Sequence, residues 1–151
     1  MAITNDDVWP VAPNFDDTTS GTSWAVVKYP STDTIAADSS FAEVTTPLLA
    51  KYDGEKMVKC GATNVPSHIY VVGSYSGGSA TFIPLGAMPY KLTKVSGGVT
   101  LGARLWTAAN GEVTTSPSAG AYSVGFAREN VTGDVATVLF QPWVVSESYS
   151  A

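Results

Sequence analysis

Most of the polarity in this chain comes from hydroxyl side chains, not charged ones. Of its 151 residues, 16 are Ser and 17 are Thr, while Asp, Glu, Lys and Arg together make up only 14%. A surface helix needs Glu, Lys and Arg along its wet face, and this chain cannot supply many of them. Eighteen Val, fourteen Gly and nine Pro point the same way, towards β-strands punctuated by turns. With 44% apolar residues, most of the chain can bury a core and is not a charge-solvated disordered polymer.

Charge and cysteine usage exclude several function classes. The net charge is −5 with no Lys/Arg cluster, which is a poor footprint for phosphate backbones, so no nucleic-acid partner is expected. No apolar run reaches the length of a membrane-spanning helix, so no membrane partner is expected either. Met1 to Asp7 carries two acids where a secretory leader would carry Lys or Arg. The lone Cys60 cannot form an internal disulfide. Asn130-Val131-Thr132 matches a glycosylation acceptor and reads as a chance match in a turn.

Two regions differ in character. Residues 1–22 hold Trp9-Pro10, Pro13, Asp6-Asp7 and Asp16-Asp17, and proline with its restricted neighbour favours extended chain. They read as an extended N-terminal arm that nonetheless carries Ile3, Val8, Trp9, Val11 and Phe15. That apolar surface is expected to order against a partner or a neighbouring subunit, or to fold back onto its own domain. Residues 23–151 read as one β-rich domain of short strands.

Several turns are legible within that domain. Asp53-Gly54 and Asn110-Gly111 are hairpin signals. Gly73 to Ser79 reads as a flexible tip between two strands. Pro84 favours a sheet edge or a strand end, and Gly125 inside an apolar run marks a bulge or a close backbone approach. The segment from Phe41 to Ala50 fits either a strand broken at Pro47 or a short helical turn. Val135 to Gln141 is apolar on both faces and should be central and buried. Strands recurring every ten residues or so predict a small β-barrel or β-sandwich, of the β-tulip or SH3-like kind.

Catalytic and cofactor signatures fail in context. His68, the single histidine, starts a β-branched strand and reads as a half-buried structural residue; a small hydrolase built around it is the minority reading. Cys60 reads as a small buried side chain. One His and one Cys cannot complete a zinc site, and the paired aspartates lack calcium-loop spacing. The Gly73–Gly78 stretch has no following Lys-Ser/Thr. No catalytic, cofactor or metal residues are therefore expected. Trp24, Tyr70, Trp106 and Trp143 fit core or oligomer-interface roles, or a flat face that stacks on sugars.

From Gly86 onward a longer pattern emerges. Leu101-Gly102-Ala103-Arg104-Leu105-Trp106-Thr107-Ala108-Ala109-Asn110-Gly111-Glu112-Val113-Thr114-Thr115 is followed by Ser123-Val124-Gly125-Phe126-Ala127 and by Thr132-Gly133-Asp134-Val135-Ala136-Thr137-Val138-Leu139. With the upstream Gly54 to Cys60 strand, this resembles the small capsid decoration, or cement, proteins of tailed bacteriophages. The resemblance covers about residues 54–141; residues 1–50 have no matching segment, and Pro84 interrupts a strand the family keeps plainly extended. It implies a homotrimer on the capsid exterior of a virion, clamping neighbouring major capsid protein subunits. Arm residues Ile3, Val8, Trp9, Val11 and Phe15 would then touch the coat. The alternative, from another class, is a carbohydrate- or receptor-binding module of a phage tail or fibre.

Overall fold

The computed structural model describes residues 33–85, 90–93, 98–133, 137–142 and 147–150. The arm residues Ile3, Val8, Trp9, Val11 and Phe15, the boundary at residue 22, and Trp24 and Trp143 lie outside the described residues. The described part is all-β, as the composition predicts. Ten strands build two five-stranded antiparallel sheets, joined by turns and two short 3-10 segments.

The first sheet contains β1 (Asp33–Ala36), β2 (Leu49–Tyr52), β3 (Met57–Lys59), β4 (His68–Tyr70) and β5 (Ser79–Pro84), in the order β1-β5-β4-β2-β3. It curls until its edges meet. Ala37, one residue past β1, bridges Met57 of β3 in parallel fashion, and the Asp38 N–H donates to the Met57 carbonyl at 2.9 Å. The Asp38 carboxylate holds Lys56 Nζ at 2.7 Å across the same seam. The bridge covers part of the two open edges that a flat sheet would expose.

A 3-10 turn at Ser39–Phe41 follows the seam, and Asp38 caps it by accepting from the Ser40 N–H at 2.9 Å. The turn drops Phe41 into the curl, where it meets Tyr70 and Phe82 at ring-centroid distances of 4.8 and 5.3 Å. All three rings are buried, with Ala37, Ala50, Met57 and Ala80 filling the remaining space. Such ring pairs add about 0.5–1.5 kcal/mol each beyond simple burial. The Phe41–Ala50 segment thus contains both a helical turn and the start of a strand, separated by Pro47.

The second sheet contains β6 (Tyr90–Thr93), β7 (Arg104–Thr107), β8 (Val113–Thr114), β9 (Ser123–Ala127) and β10 (Thr137–Pro142), in the order β6-β10-β9-β7-β8. Leu92, Leu105, Val113, Val124, Ala127, Val138 and Phe140 share a core with Leu49, Cys60 and Ile69 from the first sheet. Side chains alternate across a strand. Leu49 and Ile69 therefore face this shared core, while their neighbours Ala50 and Tyr70 face the interior of the curl. Strands β2 and β4 are thus apolar and buried on both faces. β10 is central, with β6 and β9 on its flanks. Its expected burial on both faces is corrected, however: Val138 and Phe140 are buried, Leu139 is half-buried and Gln141 is exposed.

The turn signals fold as written. Asn110 (φ 60°) and Gly111 (φ 78°) take the left-handed conformation that joins β7 to β8. Asp53 accepts from the N–H groups of Glu55 and Lys56 between β2 and β3. The Gly73–Ser79 tip is closed by paired bonds between Ser76 and Ser79 around Gly77-Gly78, and Ser74 Oγ donates to the Val71 carbonyl at 2.6 Å. Pro84 ends β5, where its missing N–H costs no ladder bond. Gly125 (φ 152°) sits at a register shift between β7 and β9, so it is both bulge and close approach.

Candidate functional surfaces

The single histidine of the chain lies beside a serine and an aspartate. His68 begins β4, and β5 separates it from β1. Its Nε2 lies 3.1 Å from Asp33 Oδ2 and its Nδ1 lies 2.8 Å from Ser67 Oγ. Serine, histidine and aspartate are thus in line. What a serine nucleophile further needs is a cluster of free N–H donors at the site of the developing oxyanion. The Ser67 N–H is already spent on the Ala50 carbonyl at 2.9 Å, and the Ser67 carbonyl accepts from the Leu85 N–H at 3.0 Å. The imidazole also packs edge-on to Phe82 at 6.5 Å. The trio ties β1 to β4 across β5, with the imidazole half-buried.

Cys60 is fully buried, and its Sγ points at the carbonyls of Asn64 (3.3 Å) and Gly61 (3.5 Å). Burial pushes the thiol pKa up to about 12. Only the thiolate is nucleophilic or metal-binding, so this sulfur acts as an apolar filler. No cluster of three metal-ligating side chains occurs among the described residues. No helix among them is long and apolar enough to cross a membrane.

Two of the four aromatics singled out from the sequence are described, and both are buried. Tyr70 fills the curl at 1% exposure, and Trp106 keeps only 8%. The sequence reading overlooked Phe126, which is 41% exposed on β9. Arg104, Phe126 and Gln141 stand side by side in register across β7, β9 and β10. The Arg104 guanidinium lies 5.8 Å from the Phe126 ring centroid and 5.4 Å from that of Trp106, close enough for cation–π attraction. Glu147 closes on Arg104 at 3.1 Å, and Arg128 donates to Gln141 Oε1 at 2.7 Å. Arginine and aromatic side chains in one packed row are the residue types that dominate protein–protein contact energies. Strict alternation in β9 would have revealed this row from sequence, but the bulge at Gly125 breaks the alternation.

Residues 147–149 line this face from the C-terminal side. The Ser123 N–H donates to Glu147, the Gly120 N–H to Tyr149, and the Tyr149 N–H to Ala121. Tyr149 then meets Trp106 edge-on at 5.3 Å.

No protein-family model matches the chain, and no curated protein or solved structure matches it significantly.

Proposed function

We propose that this chain is a structural, non-enzymatic virion protein that binds the outer surface of a phage capsid and stabilises contacts between major capsid protein subunits. The observation that carries the reading is the motif from Leu101 to Leu139. The resemblance to decoration proteins rests on it, and its described residues form one antiparallel run through β7, β8, β9 and β10.

Three further points support the reading. The thiol is inert, and the histidine trio has its neighbouring backbone groups spent. The net charge of −5 suits an outer surface better than contact with packaged DNA. The Arg104–Phe126–Gln141 row offers protein-binding side chains on a rigid sheet, and many modest contacts repeated over a shell gain from multivalency. In this reading the protein is a homotrimer without cofactors, located on the capsid exterior. Ile3, Val8, Trp9, Val11 and Phe15 of the arm grip coat subunits, the arm adding a strand to a coat sheet through main-chain hydrogen bonds.

Removing residues 1–15 tests this directly. The shortened protein is expected to remain a folded trimer and to lose binding to purified heads in a co-sedimentation assay. Full binding by the shortened protein removes the arm from the mechanism. Binding of the intact protein to glycans but not to heads replaces the whole reading with a tail or fibre module.

A further inference from the structure

Asn110 is the only asparagine in the chain that is followed by glycine. In such a pair the glycine amide nitrogen can attack the asparagine side-chain carbonyl carbon. A nitrogen–carbon bond forms, the bond to the side-chain NH2 breaks, and ammonia leaves carrying the glycine amide proton. The resulting succinimide takes up water at either carbonyl, giving aspartate or isoaspartate. One water is consumed and one ammonia released, and no other reactant is needed.

The fold holds the attacking amide of Gly111 back from this step. The Gly111 N–H donates to the Cys60 carbonyl at 2.7 Å, so the proton that must leave is held. At ψ 26° the Gly111 nitrogen nearly eclipses the Asn110 nitrogen, turned away from the side chain it would attack. Gly111 is itself buried against the first sheet: a Cβ there would lie 2.5 Å from the Leu49 carbonyl oxygen and 3.0 Å from Leu48 Cβ. The turn is therefore wedged where the β7–β8 hairpin meets β2.

We propose that Asn110-Gly111 is a fold-gated deamidation site, silent while the β7–β8 hairpin is docked on β2 and reactive once it opens. The isoaspartate product also locks the opening in. It inserts an additional backbone carbon into a turn whose glycine already touches Leu49, so a converted chain cannot seat the hairpin again. The turn is then a one-way record of which chains have opened.

The test incubates the full-length protein in mildly alkaline buffer, folded and in concentrated urea, and follows tryptic peptide 105–128, which contains no other asparagine, by mass spectrometry. Conversion in the folded protein is expected to be at least about ten-fold slower, because it waits on local opening. Equal rates overturn the gating. For the second half, urea-converted protein is returned to native buffer beside Asn110→Asp, which carries the new charge without the added backbone atom. Asn110→Asp is expected to refold, and the isoaspartate chains to stay in the unfolded fraction; native refolding of the isoaspartate chains overturns the locking.

Discussion

Two glycines with positive φ separate backbone strain from steric overlap, and their substitution gives a sharp test of the packing described above. Gly54 (φ 113°) has nothing within 4 Å of where a Cβ would stand. Gly54→Ala therefore carries only the conformational penalty, about 1–2 kcal/mol. Gly125 (φ 152°) faces β10, and a Cβ there would overlap the Gln141 carbonyl oxygen and approach Phe140 Cδ2 to 2.9 Å. Real Cβ atoms essentially never come inside 3.0 Å. The obstacle is mainly main chain, so no rotamer change relieves it, and β9 must move away from β10, stretching the Phe126–Gln141 and Gly125–Pro142 pairing. Overpacking of this kind adds about 1–3 kcal/mol to the backbone strain, giving about 2–5 kcal/mol in total. Domain stabilities run about 5–15 kcal/mol, so much of the margin goes. Urea unfolding followed by tryptophan fluorescence measures both variants against the parent protein. A Gly125→Ala loss no larger than that of Gly54→Ala would refute the close β9–β10 approach.

Other expectations are independent of that one. The Asp38 carboxyl is held well below its ordinary 3.8 by the Lys56 hydrogen bond first and the Ser40 backbone N–H second. Its stabilisation is therefore complete above that value and fades as pH falls below it. Asp38→Asn is expected to flatten the acid limb of thermal melts below about pH 4; an unchanged limb would exclude the seam pair as its source. Thr107 Oγ1 donates to the Ala62 carbonyl and accepts from the Tyr122 N–H at 2.9 Å while 99% buried. Thr107→Val should cost about 1–3 kcal/mol in chemical denaturation through unpaired groups, and a neutral result would mean water replaces the hydroxyl. Cys60 should resist iodoacetamide in the folded protein and react on unfolding; fast native labelling would contradict its burial.

Local rules read well from this sequence, and non-local ones did not. Asp53-Gly54, Asn110-Gly111 and Pro84 each act within a few residues, where φ preference or a missing N–H decides the outcome alone. The seam between Ala37 and Met57 joins segments twenty residues apart and depends on sheet curl, which no periodicity encodes. Curl is also why β2 and β4, not β10, are buried on both faces: Leu49-Ala50 and Ile69-Tyr70 look like ordinary short apolar pairs until the sheet wraps around one side. The burial of Cys60 was legible from its neighbours. The alignment of Ser67, His68 and Asp33 was not, because Asp33 is brought in by strand pairing. Phe126 was missed because the bulge at Gly125 shifts which side chains face out.

Particle composition bears on the proposal that the protein grips a capsid in many copies. On the proposed capsid role, quantitative mass spectrometry of purified virions should find this chain at a copy number comparable to that of the coat protein. A handful of copies per particle, or none, would contradict the account.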